Sequence, residues 1–114
     1  KSLLGQSAES RAEAFLKTHG LKLVTRNWRS RFGEIDLIMQ DASTLVFIEV
    51  RLRSRNDFGG AAASVTPAKQ KKLLATARQY LSTLKVLPPC RFDVVALSGD
   101  TPPEWIRNAF DDMG

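Results

Sequence analysis

Two strongly β-forming segments stand side by side in the middle of the chain, and they constrain the fold more than any other feature. Residues 34–40 (EIDLIMQ) and 44–53 (TLVFIEVRLR) are rich in branched apolar side chains, which favour strands. The turn Asp41-Ala42-Ser43 joins them. Strands connected this closely pair as an antiparallel hairpin. The rest of the chain is therefore interpreted around a sheet that contains this hairpin.

The segments on either side of the hairpin predict a single α/β domain over residues 1–114. The segment 104–110 alternates as an edge strand does, and a short helix is left open there. The order α-β-β-β-α-β implies a mixed sheet flanked by helices. In chain order we expect a helix over 6–19, a strand over 21–29, the hairpin, a long helix opened by Thr66-Pro67, and a strand over 91–97.

The single cysteine and the single histidine exclude several classes of protein. Cys90 alone forms no internal disulfide and no cysteine-based zinc site, and we expect a buried or half-buried thiol there rather than a nucleophile. His19 alone excludes a two-histidine zinc hydrolase. No apolar run approaches the roughly 18 residues that cross a bilayer, and the first residues lack the apolar core of a signal peptide. We expect a cytoplasmic protein without membrane contact.

The charge is distributed unevenly along the chain. The formal net charge is +5, yet residues 1–91 contain 16 of the 17 basic residues and 7 of the 12 acidic ones. The remaining residues form an acidic C-terminal end. A basic body of this kind suggests a polyanionic partner such as nucleic acid, although many basic domains of this size bind none.

Two carboxylates lie inside the two hairpin strands. Because alternate residues of a strand share a face, Asp36 is expected beside Ile38, with Ile35, Leu37 and Met39 on the other face. Glu49 is expected opposite an apolar face made by Val46, Ile48, Val50 and Leu52. Hairpin partners on one face come within about 5 Å of each other at Cβ. Two carboxylates so placed repel each other unless a cation joins them.

A cation between Asp36 and Glu49 is one of two interpretations. Mg²⁺ suits the pair because it is a hard ion that binds one or two carboxylates and keeps several waters. The plainer interpretation places both acids on solvated faces, with Glu49 paired to Arg51 or Arg53, and spacing alone favours it.

Three further features favour the metal. Gln70 falls on the apolar stripe of the long helix, and Glu9 borders the stripe of the first helix. The third feature is a run of basic residues that follows the acid pair: Arg51, Arg53, Arg55, Lys69, Lys71 and Lys72. Together these features suggest a metal-assisted phosphodiester site with a rim that binds the nucleic-acid backbone.

Four strings of residues also carry a family resemblance: GEIDLI (33–38), LVFIEVRLRS (45–54), FGGAAASVTPAKQKKL (58–73) and RFDVV (91–95). With the opening helix AESRAEAFL (8–16), followed by Gly20, Asn27 and Trp28, they cover nearly the whole chain. The sequence thereby resembles the YraN-like family of small bacterial proteins, which is grouped with restriction-endonuclease-like, Holliday-junction-resolvase-like nucleases. The resemblance implies an αβββαβ core and the acid–x–lysine metal site of that superfamily.

By that resemblance the helix acid maps to Glu9, the first strand acid to Asp36, the second to Glu49 and the helix glutamine to Gln70. The superfamily usually has lysine two residues after the second acid, and here that residue is Arg51. Arginine stays protonated and cannot serve as a base, although it can hold a phosphate. The difference bears on the reaction rate more than on metal binding.

The leading hypothesis is a nuclease-fold protein that binds structured or branched nucleic acid, with DNA as the expected partner, and acts as a metal-dependent endonuclease. Asp36, Glu49 and the Val50 carbonyl would hold Mg²⁺ or Mn²⁺, with Glu9 contributing directly or through water. Arg51 would stabilise the transition state and Gln70 would orient the metal shell or the scissile phosphate. The flanking phosphates would contact Arg53, Arg55, Lys69, Lys71 and Lys72.

Two alternatives stay open, and one further expectation concerns assembly. The first alternative is a catalytically weak or inactive nucleic-acid-binding module, marked by Arg51. The second is a protein–protein adaptor in which the acidic tail and an exposed Trp105 or Phe110 contact a partner. A homodimer is also expected, because nucleases of this size often pair two sites to cut two strands.

Overall fold

Seven elements follow the order that the sequence predicts, and the segment left open at the end is a strand. The computed structural model describes residues 3–53, 65–99 and 101–110, with side chains described from residue 7 onward. The elements are α1 (Leu3–Thr18), β1 (Lys22–Ser30), β2 (Gly33–Asp41), β3 (Thr44–Leu52), α2 (Pro67–Leu81), β4 (Cys90–Leu97) and β5 (Glu104–Phe110).

The five strands form one mixed sheet in the order β1-β2-β3-β4-β5. Strands β1, β2 and β3 are an antiparallel meander, and β3 then pairs in parallel with β4. A parallel pair needs a crossover connection, and α2 supplies it. Strand β5 closes the order as an antiparallel edge. The predicted α/β class with a mixed sheet is confirmed, and the architecture is compatible with a restriction-endonuclease-like core extended by one strand.

The two helices cover opposite faces of the sheet. Helix α1 buries Ala8, Ala12 and Leu16 in a cluster with Leu37, Met39, Val46, Ile48, Val95 and Leu97. Helix α2 buries Leu73, Ala77 and Leu81 in a second cluster with Ile35, Ile38, Leu45, Phe47, Phe92 and Val94. Because a helix covers each face of the sheet, the central strands carry apolar residues on both sides.

The alternation predicted for β2 is wrong at its N-terminal end. Ile35 packs with Ile38 on the α2 face, rather than with Leu37 on the α1 face. The regular ladder between β2 and β3 ends at the Leu37–Ile48 pair. On β1, Asn27 lies between two residues that pair with β2. Its φ of 52° is in the left-handed region, which Asn tolerates better than most residues. The strand is thus locally irregular at Asp36.

The predicted apolar face of β3 is also wrong at its last residue. Val46 and Ile48 are buried and Val50 packs against the α1 cluster, but Leu52 is 46% exposed. Leu52 lies at the C-terminal end of β3, beyond the part that the helices cover.

In the described residues no helix is both long and apolar enough to span a bilayer.

Helix α2 begins as its sequence predicts. Thr66 is the N-cap, with extended backbone angles (φ −67°, ψ 159°), and its hydroxyl accepts a hydrogen bond from the Lys69 N–H at 3.2 Å. Pro67 is the first helical residue, where no backbone donor is required. The cap fixes the direction of the first helical turn, and with it the positions of Lys69 and Gln70.

Candidate active site

The two strand acids lie in one pocket at the end of the sheet where β3 terminates. The pocket encloses about 230 Å³. Side chains from α1, both hairpin strands and α2 surround it, namely Ala8, Glu9, Asp36, Glu49, Val50, Leu52 and Lys69. The N-terminal parts of both helices therefore meet the hairpin at this point.

The irregularity in β2 brings Asp36 against the backbone of β3. Its Oδ2 accepts a hydrogen bond from the Val50 N–H at 2.9 Å, so the carboxylate pairs with the strand where the regular β2–β3 ladder has ended. Asp36 and Glu49 line the same pocket, and the Asp36 carboxylate raises the pKa of Glu49. The structure thus brings together the two acids that the sequence places on facing strands.

Glu49 is an unusual carboxyl group electrostatically. It is 7% exposed, and burial raises its pKa from 4.5 to about 7, with the neighbouring negative charge of Asp36 acting in the same direction. The Lys69 ammonium opposes this rise. A buried acid beside a second acid favours sharing one proton or binding a cation, because two adjacent negative charges repel each other.

Lys69 is the cationic partner of this acid pair. Its ammonium forms an ion pair with Glu49 Oε2, and the Arg51 Nη1 lies 3.8 Å from the same oxygen. The sequence pattern predicts that Lys69 binds flanking phosphates. In the structure Lys69 also lines the pocket. One signal could have shown this: Lys69 stands four residues before the buried Leu73, so it shares the inward stripe of α2.

Glu9 is buried and lines the same pocket, and it also borders a neighbouring pocket of about 250 Å³ with Glu13, Arg26 and Asn27. Within residues 3–53, 65–99 and 101–110, no three His, Cys, Asp or Glu side chains are close enough to hold one metal ion. The candidate donors in contact with each other are the two carboxylates of Asp36 and Glu49. That set suits a hard cation that keeps most of its water, such as Mg²⁺ or Mn²⁺.

The remaining predicted site residues lie around this pocket or apart from it. The Gln70 amide donates a hydrogen bond to the Val65 carbonyl at 3.0 Å, so it secures the start of α2 and does not line the pocket. Arg53 forms an ion pair with Glu104 of β5. Lys71 and Lys72 are exposed on α2. Arg55 and most of the small-residue segment 58–65 lie outside the described residues.

The aromatic residues that an adaptor would expose are packed. The Trp105 indole N–H donates to Asp93 at 2.9 Å, and its ring makes an edge contact with Phe15. Phe110 stacks on Phe92 with ring centroids 4.8 Å apart. Both side chains are only partly exposed. The expectation that they are exposed is therefore wrong, and the adaptor hypothesis loses its main support.

A mixed sheet covered on both faces, with an acid pair and a lysine at one end, defines the class as an α/β protein compatible with the restriction-endonuclease-like fold. Residues 8–97 match the model of a family described as "Uncharacterised protein family UPF0102". The chain belongs to this family, which is the YraN-like family that its strings resemble.

Individual relatives agree with the family match over almost the full chain. A UPF0102 protein of Nitrosospira multiformis is 58% identical over 111 residues, which cover 96% of this chain and 93% of that protein. A UPF0102 protein of Cupriavidus pinatubonensis is 59% identical over 108 residues, covering 94% and 84%. One from Psychromonas ingrahamii is 53% identical over 107 residues, covering 93% and 88%.

Proposed function

We propose that this protein binds structured or branched nucleic acid, DNA in the first instance, and hydrolyses its phosphodiester bonds with the help of Mg²⁺ or Mn²⁺. The observation that carries the proposal is the pair formed by the buried Glu49 and the half-buried Asp36, held in one pocket with the Lys69 ammonium. A structural role alone would favour apolar side chains here, because unmatched buried acids cost stability. Retaining two acids in contact is typical of a site that binds a cation.

Each pocket residue has a distinct task in this proposal. Asp36 and Glu49 would hold the metal, and the Val50 N–H fixes the orientation of the Asp36 carboxylate at 2.9 Å. The metal would neutralise the phosphate and lower the pKa of a bound water. Glu9, on the same pocket wall, would contact that hydration shell. The Arg51 guanidinium would contact the developing negative charge on the phosphate.

The basic residues near the pocket would bind the flanking backbone. Lys71 and Lys72 are exposed on the helix that also carries Lys69, and Arg53 directly follows the strand that carries Glu49. Arg55, which follows two residues later in the chain, is assigned to the same rim on the sequence pattern alone. Binding through such contacts weakens steeply with salt, because neutralising phosphates releases counterions.

A cleavage assay tests the proposal directly. The protein is incubated with labelled four-way-junction, duplex and single-stranded DNA in Mg²⁺, in Mn²⁺ and in EDTA. We expect cleavage that requires the metal and that falls by at least about 100-fold in Asp36→Asn and in Glu49→Gln. Lys85→Met, an exposed lysine past the far end of α2, is the matched control.

The binding-only alternative is distinguished in the same experiment. Salt-dependent DNA binding without cleavage in either metal would identify an inactive binding module. Cleavage that survives both Asp36→Asn and Glu49→Gln would show that the acid pair is not the active site. The absence of binding to any of these DNAs at low salt would contradict the proposal as a whole.

A further inference from the structure

We propose that Lys69 holds the place of the divalent cation before metal binds, and that it must leave Glu49 when the metal arrives. This inference rests on the proposed metal site and adds to it a cation that competes for the same oxygen. The contact that carries it is the ion pair between the Lys69 ammonium and Glu49 Oε2. A metal held by Asp36 and Glu49 needs oxygen lone pairs of this carboxylate, so ammonium and metal compete for them.

The structure allows Lys69 to leave without rebuilding the helix. Its backbone N–H is fixed by the Thr66 cap at 3.2 Å, and its side chain is 39% exposed at the pocket. Rotation of the side chain alone therefore moves the ammonium away from Glu49. Glu49 cannot move in the same way, because it is 7% exposed and lies on a central strand.

The second cation near Glu49 does not take this role. The Arg51 Nη1 is 3.8 Å from Oε2, which is an ion pair without a close hydrogen bond. Lys69 also comes from a different element than the acids, so its departure leaves β2 and β3 unchanged. An ammonium displaced toward solvent at the pocket would face the phosphate that a bound metal attracts. The same lysine would thus neutralise the acids in the free protein and contact the substrate in the loaded one.

Metal affinity tests the competition without relying on catalysis. Mn²⁺ binding to the full chain is measured by electron paramagnetic resonance near pH 8. We expect Lys69→Met to bind Mn²⁺ about tenfold more tightly than the wild type, which corresponds to about 1.4 kcal/mol. Lys69→Arg, which keeps a cation for Glu49, should stay within about twofold of the wild type, and Lys85→Met should not change the affinity.

The outcomes separate this inference from the proposed function. Wild-type binding that is lost in Asp36→Asn and Glu49→Gln, together with tighter binding by Lys69→Met, supports both. The same loss together with unchanged or weaker binding by Lys69→Met overturns only the role of Lys69. No Mn²⁺ binding by the wild type or by Lys69→Met overturns both. Lys69→Gln is the second variant if the methionine variant does not fold, and the same tightening is expected of it.

A DNA-binding measurement gives the complementary readout. In EDTA, Lys69→Met and the wild type should bind a labelled four-way junction with affinities within about twofold, because Lys69 is held by Glu49. With Ca²⁺ present, we expect the variant to bind about threefold more weakly, because the wild type then has one more free cation for a phosphate. An equal loss under both conditions would show that Lys69 contacts DNA regardless of the metal, and would overturn the displacement.

Discussion

Two buried acids lie on neighbouring strands of this sheet, and their surroundings are opposite. Asp93 on β4 is 1% exposed and Glu49 on β3 is 7% exposed, and the two strands pair in parallel with Ile48 opposite Asp93. Asp93 accepts hydrogen bonds from Arg91, from the Trp105 indole and from the Asn108 backbone N–H. Glu49 instead faces another acid, Asp36, and its ion-pair partner is the half-exposed Lys69.

The difference is the one expected between a structural acid and an acid of the proposed site. The donors around Asp93 are fixed by the sheet itself: Asn108, with φ of 51°, lies where the β4–β5 register shifts, and the carboxylate fills that gap. Arg91 in turn reaches Asp41, so the network ties three strands together. Around Glu49, the two carboxylates require a counter-charge, which comes from the half-exposed Lys69 and, at 3.8 Å, from Arg51. A fully satisfied acid has no capacity left for a ligand, and this is why the proposal assigns the cation to the Asp36–Glu49 pair and not to Asp93.

Removing Asp93 should have the largest effect on stability. Asp93→Ala leaves the Trp105 N–H without its acceptor and leaves Arg91, which is 19% exposed, with Asp41 as its remaining carboxylate. Loss of one partner from a buried charge pair costs about 3–5 kcal/mol, so we expect the free energy of unfolding to fall by that amount in urea denaturation. Asp41→Asn, at the more exposed end of the same arginine, is the matched control and should cost about 1 kcal/mol. Equal losses in the two variants would show that the buried network is not what matters.

Removing the charge of Glu49 should instead raise the free energy of unfolding near pH 8. The pKa of Glu49 in the folded protein is raised from 4.5 to about 7, so the folded state holds this proton more tightly than the unfolded chain does. Stability from this group is therefore full below about pH 4.5, declines as the pH rises toward 7, and levels off above. In EDTA near pH 8, we expect Glu49→Gln to be about 1–3 kcal/mol more stable than the wild type.

The pH dependence of Glu49→Gln is its own control. Near pH 4.5 the wild-type carboxyl is protonated in the fold, and the two proteins should agree within about 0.5 kcal/mol in urea denaturation. Near pH 8, Glu49→Gln should be about 1–3 kcal/mol more stable than the wild type. A Glu49→Gln variant that is less stable than the wild type at both pH values would mean that the Lys69 ion pair outweighs the repulsion from Asp36. The contrast with Asp93 would then fail.

Much of this contrast could be predicted from the sequence on the Glu49 side. Asp36 and Glu49 fall in adjacent strands joined by a tight turn, so the spacing of the hairpin is enough to place them together. Hydrophobic periodicity and the Thr66-Pro67 start placed both helices and the strands near their observed bounds. Local patterns of this kind depend on residues close in the chain, which is why they are visible without a structure.

The rest depends on contacts between distant parts of the chain. Lys69 reaches Glu49 from a helix 20 residues downstream, and the direction of that helix is decided by its packing on the sheet. Asp93 is satisfied by β5, for which the sequence left a helix open. The departure of Ile35 from alternation follows from the irregular backbone at Asn27 and Asp36, where the acid side chain replaces a ladder hydrogen bond. No residue type or spacing encodes such a replacement by itself.

A third acid, Glu13, tests the intermediate case of a carboxylate satisfied by exposed partners. Its pKa is lowered from 4.5 to about 2 by hydrogen bonds from Arg26, against an opposing effect of burial, with Lys17 assisting at 2.7 Å. Arg26 and Lys17 are 58% and 49% exposed, so solvent screens both pairs. We expect Glu13→Gln to lower the free energy of unfolding by about 1 kcal/mol near pH 7.

The sign of the pH dependence for Glu13 is the reverse of that for Glu49. Because its folded-state pKa is depressed, the stabilisation is present above about pH 4.5 and is lost as the pH falls toward 2. Thermal melts of wild type and Glu13→Gln should therefore converge near pH 2. High salt should narrow the difference near pH 7, because the partners are at the surface. A loss that is constant across this pH range would identify a packing effect instead of an ionic one.

The smallest effect on stability is expected for the exposed pair between Arg53 and Glu104. The two side chains are 29% and 47% exposed, and surface pairs of this kind contribute only about 0–1 kcal/mol. Glu104→Gln should therefore leave the free energy of unfolding within about 0.5 kcal/mol of the wild type, but it releases Arg53 next to the end of β3.

If Arg53 belongs to the phosphate-binding rim, the released guanidinium should tighten low-salt binding of a labelled DNA junction by about twofold to threefold in fluorescence anisotropy. Arg53→Met, the matched variant on the other side of the pair, should weaken binding by a similar factor at equal stability. Equal DNA affinity in both variants would remove Arg53 from the rim and confine the substrate contacts to α2 and the acid pocket.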